Sequence, residues 1–208
     1  MTDVLRMVHA ERRSLADLLD TLTPEQWVAP TWCDKWNVQQ VVGHVVAAGH
    51  VTVPHFFLGF ARAGFDFDRF VERDVERFAA GTPADTRARL EAVIESNRTP
   101  PAPKSAHVAL GEVMTHAEDI RRPLGLPGEH PADHLVALAD FYRTTGPPLR
   151  GRKRIGGLRL EATDIDWACG DGPEVRGSCM SLILAMVGRP GALADCTGAG
   201  VEELRSRL

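Results

Sequence analysis

Lysine is scarce in this chain, present only as Lys35, Lys104 and Lys153, and the basic character rests almost wholly on arginine. No apolar run approaches the roughly 20 residues a helix needs to cross a bilayer, so no membrane span is expected. The opening MTDVLRMVHAERR has neither a continuous apolar stretch nor a cleavage site, so a secretory leader is not expected. Four cysteines, Cys33, Cys169, Cys179 and Cys196, form no CxxC and no zinc-ribbon spacing, so they read as reduced thiols of a cytoplasmic protein. The formal net charge of −4 removes the electrostatic case for binding nucleic acid or an anionic lipid surface. No internal repeat or low-complexity tract is visible. What remains is an ordinary soluble composition, 44% hydrophobic and 25% charged, over 208 residues that can bury a real core.

The apolar periodicity is helical through most of the chain. Val4, Leu5, Val8, Leu15, Leu18, Leu19 and Leu22 predict a first helix over 3–22. Thr23 and Pro24 then supply an N-cap and a first helical residue for a short turn. After the aromatic-rich PTWCDKW, Asn37 is placed to cap a long helix that Pro54 must kink or end. Further amphipathic segments are expected at 67–80 and 83–97. RTPPAPKS cannot be a helix interior, and another long helix follows over 106–122, stopped by Pro123 and Gly125. A helix through ADHLVALADFYRTTG closes this part. GPPLRGRKRIGG reads as a linker, followed by two or three short strands, a buried helix in CMSLILAMVGR and a terminal helix. The expectation is a mainly α fold, with a helical domain over 1–147 and a small α/β domain over 152–208. The latter is too short for an independent core and is expected to pack on the former.

The stretch GEVMTHAEDIRRPLG, residues 111–125, carries the chemistry. Glu112 and His116 are one helical turn apart and share a face, and Asp119 follows three residues later. The pair reads either as a helical ion pair or as half of a metal site. A third ligand would have to come from elsewhere, and His44 is the candidate, set among Val41, Val42, Val45 and Val46 on an apolar face. A lone histidine there is more often a satisfied core residue than a ligand. Together, His44, Glu112 and His116 make a two-histidine, one-carboxylate set that leaves a position open on zinc. Asp119 is read either as an acceptor that orients an imidazole or as a partner for an arginine. His55 falls about 16 Å from His44 along a straight helix and His50 is rotated away, so both are expected off the site. Trp32 and Trp36 are assigned to packing and to the start of the helix. No cysteine has a sequence neighbour that would make it a nucleophile.

LTPEQWVAPTWCDKWNVQQVVGHV followed by GEVMTHAEDIRRPLGLP resembles the DinB-like, mycothiol-dependent maleylpyruvate isomerase family. EATDIDWACGDGPEVRGSCMSLILAMVGR resembles the small C-terminal domain of many members. The resemblance rests on Trp36, His44, Glu112-x3-His116-x2-Asp119 and Gly188-Arg189, and covers nearly the whole chain. It implies a four-helix bundle in which His44, Glu112 and His116 bind a divalent metal, zinc or else nickel. It also implies mycothiol as cosubstrate, with thiol transfer or cis–trans isomerisation of a small electrophile as outcomes. In Gly188-Arg189, Arg189 would pair with a carboxylate of the thiol or the substrate, or else cap the end of a helix. Glu118 stands where the family usually has an aromatic, which predicts a more polar pocket rim.

An open three-ligand metal can hold a thiol deprotonated at neutral pH and direct it at an electrophilic carbon, so a metalloenzyme is the favoured function. A metal-dependent hydrolase, a binding protein without catalysis and a purely structural role are the alternatives. The expected partners are a small-molecule thiol and an electrophile, and the expected assembly is a monomer or homodimer.

Overall fold

A computed structural model describes residues 3–208. Helix α1 (Asp3–Leu19) leads to the short α2 (Pro24–Trp27), whose N-cap Thr23 and first-turn Pro24 act as their order implies. Helix α3 (Val38–His50) starts at a reciprocal cap: Asn37 Oδ1 accepts the Gln40 N–H at 2.9 Å, and Gln40 Oε1 accepts the Asn37 N–H at 3.0 Å. The cap fixes where the helix begins, and therefore which face His44 occupies two turns later. Pro54 does not kink this helix. It sits in the first turn of a separate one, α4 (Val53–Arg62), capped by Thr52, whose Oγ1 accepts the His55 N–H.

Helices α5 (Phe67–Phe78), α6 (Pro83–Glu91) and α7 (Ser105–Leu124) follow, α6 ending earlier than its periodicity predicts. Pro123 lies in the last turn of α7, and Gly125 closes it with φ of +66°, a left-handed conformation that glycine adopts without a Cβ clash. Helices α1, α3, α6 and α7 pack on one another as a four-helix bundle, with α5 laid against α3. Their core is aliphatic, with Val8, Leu15, Val41, Val42, Val46, Leu110, Met114 and Ile120 all fully buried. Each such side chain contributes about 1.5–3 kcal/mol relative to exposure. A cation also lies in this interior. Arg12 is buried and donates to the carbonyls of Val93 at 2.9 Å and Ser96 at 2.8 Å, binding the turn after α6 to α1, and burial pushes its guanidinium down to about 10.

Packing divides the chain into two compact units, the first ending at Glu129 and the second spanning His130–Leu208. The boundary is earlier than the one near 147 that composition implies. The reason is α8 (Ala132–Tyr142), which buries Leu135, Leu138, Ala139 and Phe141 and packs on α10 of the second unit. The expected linker is not irregular throughout, for it contains α9 (Gly151–Ile155), tied down where Arg154 donates to the carbonyl of Met186. Strands β1 (Arg159–Ala162), β2 (Ala168–Cys169) and β3 (Glu174–Gly177) form one sheet in the order β2-β1-β3, β1 antiparallel to β2 and parallel to β3. Helix α10 (Cys179–Met186) is apolar on every side and buried along its whole length, as its sequence implies. A 3-10 turn over Pro190–Asp195 and α11 (Val201–Arg205) complete the unit. All four cysteines are free thiols.

Gly43 lies immediately before His44, close against Ala79 at the end of α5. A Cβ there would stand 2.9 Å from both the Cβ and the backbone nitrogen of Ala79. Replacing Gly43 by Ala should cost about 1–3 kcal/mol through overpacking. A thermal melt should show the midpoint falling by several degrees, and an unchanged midpoint would mean that the helices can part without cost.

Candidate functional site

The capped start of α3 and the register of α7 bring three polar side chains to one point between the helices. His44 Nε2 donates to Glu112 Oε2 at 2.7 Å, and His116 Nε2 lies 3.5 Å from the same oxygen. The two rings meet edge to face, 4.9 Å between centroids. One ligating atom from each of the three residues lies within 4.8 Å of the others. A tetrahedral cation with bonds near 2.1 Å holds its ligand atoms about 3.4 Å apart, so modest closing of this cluster is all that chelation requires.

The imidazole of His116 is oriented from behind. Its Nδ1–H donates to Asp119 Oδ2 at 2.9 Å, and Asp119 is fully buried. A carboxylate fixed on Nδ1 leaves Nε2 facing Glu112 and His44, the arrangement that supports histidine as a metal ligand. Of the two readings of Asp119 in the sequence, the geometry matches the acceptor that orients an imidazole. Burial disfavours charge on Glu112, but hydrogen bonds from His116 and His44 outweigh it and hold the carboxyl well below the usual range. Burial likewise pulls His116 down, yet bonds with Asp119, Cys33 and Glu112 leave it well above the ordinary histidine value. This raised value favours the protonated imidazole at the position where a cation would bind.

The loop before α3 is folded over this cluster. Trp32 N–H donates to the Asp119 carbonyl at 3.0 Å, and Thr31 Oγ1 donates to the Trp36 carbonyl at 2.8 Å. Trp36, which the sequence assigns to packing, instead sets its ring 4.9 Å from that of His44 and lines a cavity of about 310 Å³. His44, Glu112 and His116 form part of that cavity, with Lys35, Phe67, Asp68, Val71 and Glu72. Cys33, which has no revealing sequence neighbour, comes within 4.8 Å of ligating atoms of His116 and Asp119. The thiol of Cys179 is inert by contrast, pushed up to about 12 chiefly by burial.

Several expected positions fall elsewhere. Glu118 does not roughen the pocket rim: it is buried on another face of α7, where its Oε2 accepts from Arg122 at 2.9 Å and its Oε1 pairs with Arg121 at 3.5 Å. His50 stacks on Phe78 with 5.0 Å between centroids, and His55 pairs with Asp74 at 3.0 Å, so neither joins the cluster. Arg189 belongs to the second unit, between α10 and the 3-10 turn, with its N–H on the Leu184 carbonyl.

Residues 8–122 match the family described as the mycothiol maleylpyruvate isomerase N-terminal domain. The chain belongs to this family. Of the residues singled out from the sequence, His44, Glu112, His116 and Asp119 lie inside the matched segment, and Arg189 lies outside it. Two solved structures resemble this family member in fold. The crystal structure of the mycothiol-dependent maleylpyruvate isomerase gives a TM-score of 0.65 at 14% identity, covering 95% of this chain and 92% of that one. The same isomerase carrying a histidine-to-alanine substitution gives 0.64 at the same identity and coverage. No curated protein sequence matches the chain.

The His44, Glu112 and His116 cluster of this isomerase-family chain could hold a divalent cation on chemical grounds. It has two imidazole nitrogens and a carboxylate oxygen already converging, with a second carboxylate orienting one ring. Because the raised His116 must lose its proton to bind a cation, zinc uptake at neutral pH should release protons, and apparent affinity should fall as pH is lowered. Calorimetry in buffers of different ionisation enthalpy measures this directly. Asp119→Asn should weaken zinc binding by about 10–100-fold while leaving the fold intact. Equal affinity in that variant would remove Asp119 from the site.

Proposed function

We propose that this protein is a thiol-dependent metalloenzyme that directs a small-molecule thiol, mycothiol, at a small electrophile, with transfer or isomerisation as the outcome. The observation that carries the reading is the convergence of His44 and His116 on Glu112 in the wall of an open cavity. In this reading the three side chains hold the cation, with zinc the best match to two imidazoles and a carboxylate and nickel an alternative. A bound divalent cation would lower the pKa of a thiol in the open position and screen its charge, supplying a nucleophile at neutral pH.

The chain's own residues do the rest. Asp119 holds the proton on His116 Nδ1 and so keeps the other nitrogen turned to the cavity. The ring of Trp36 covers His44 and narrows the access of water to the cluster. The loop over 31–36 keeps that ring in place through its bond to the Asp119 carbonyl. The family name and the fold of the mycothiol-dependent maleylpyruvate isomerase support mycothiol as the thiol.

The test is turnover of a panel of electrophiles by metal-loaded protein with and without mycothiol. Thiol-stimulated turnover is expected, and His44→Ala should lower kcat/KM by at least about a hundredfold, equivalent to roughly 2.7 kcal/mol of lost transition-state stabilisation. Equal turnover without thiol would make the protein a hydrolase. Stoichiometric metal with no turnover would leave a binding protein, and no stoichiometric metal would end the metalloenzyme reading.

A further inference from the structure

The cavity beside the ligating side chains has walls of uneven chemistry. Helix α5 turns two stripes into it, Phe67 with Val71 and Asp68 with Glu72, each pair one helical turn apart. The loop before α3 adds Trp36 and Lys35. The Lys35 Nζ stands 3.6 Å from Glu72 Oε1, so this lysine of the cavity wall is already faced by a carboxylate. Asp68 adds a second negative charge, and among the described residues lining the cavity there is no further lysine or arginine.

The apolar part continues beyond the cavity. Phe67 is 56% exposed and begins a run of rings: Phe67 to Phe70 at 6.2 Å between centroids, Phe70 to Phe56 at 5.5 Å, and Phe56 to Phe57 at 5.5 Å. Phe57 is 62% exposed, and Val53, Leu58 and Phe65 nearby in the chain are also exposed. Exposed Phe67 on the cavity wall, backed through buried Phe70 by this aromatic cluster, offers apolar surface to a ligand with apolar surface of its own.

We infer that the electrophile taken by this cavity is an uncharged molecule with an apolar or aromatic body, and not a dicarboxylate. Within the proposed function, a divalent cation, Glu112 and a thiolate cancel one another in formal charge. The walls supplied by the first unit are then left with Asp68 and Glu72 against Lys35, a net negative lining that disfavours a second and third negative charge. An apolar body meets Trp36, Phe67 and Val71 instead and releases water from both surfaces. The substrate named for the mycothiol-dependent maleylpyruvate isomerase is an acid, so this chain would share that protein's fold while departing from its substrate class.

The word electrophile rests on the catalytic reading, but the experiment reads binding alone. Nitrobenzene, an uncharged aromatic, and fumarate, a dicarboxylate, are titrated into the zinc-loaded full chain saturated with mycothiol and followed by saturation-transfer NMR. Nitrobenzene is expected to bind at least about tenfold more tightly than fumarate. Phe67→Ala should weaken nitrobenzene about fivefold, and Glu72→Gln should strengthen fumarate by a similar factor through loss of a charge and release of Lys35. Zinc content and thermal melts of both variants establish that they are folded and loaded. Fumarate binding as tightly as nitrobenzene, or nitrobenzene binding unaltered by Phe67→Ala, overturns the inference. If binding behaves as expected but no electrophile is turned over with thiol, the catalytic reading fails and the ligand class stands.

Discussion

One carboxylate shared by two imidazoles organises this protein. Glu112 takes a hydrogen bond from His44, 68 residues away, and stands within ion-pair distance of His116 one turn along its own helix. Neither helix could bury such groups alone, because an unpaired carboxylate between α3 and α7 would lose its hydration with nothing in return. The surrounding valines of α3 and the apolar face of α7 supply the packing that makes the convergence rigid. The close approach at Gly43, the cap at Asn37 and the oriented ring of His116 all serve to hold that one oxygen between two nitrogens.

The parts of this arrangement that depend on local spacing were legible in the sequence. Asn37, Thr23 with Pro24, and Gly125 mark helix ends because each acts within four residues of itself. Glu112, His116 and Asp119 lie within two turns, so their shared face follows from helical geometry, and His44 joined them through its apolar setting and the family resemblance. Family membership and the bundle with its small C-terminal α/β part agree with that reading.

What the sequence could not convey depends on contacts between distant segments. The cavity wall on α5 comes from residues whose amphipathic pattern says only that one face is covered, not what the other face borders. Cys33 is unremarkable until the loop over 31–36 is pinned to the Asp119 carbonyl, which carries it to His116. Glu118 reads as a pocket residue from the family resemblance, but its position on α7 turns it toward Arg121 and Arg122. Helix α9 hides in a segment rich in proline, glycine and basic residues because a tertiary bond from Arg154 and the burial of Ile155 hold it, not propensity. The division of the chain at 129 follows from which helix α8 packs against, and composition is blind to that.

His44, Glu112 and His116 stand on α3 and α7, whereas Lys35, Trp36, Phe67, Asp68, Val71 and Glu72 stand on a loop and on α5. Under the proposed function, reactivity and selectivity are thus written on different pieces of backbone. Substitutions along one exposed helix face can retune what is admitted while the bundle interior, with its demanding steric and electrostatic fit, stays untouched. A lineage built this way can diversify its chemistry by drifting at the doorway, without ever having to rebuild the hearth.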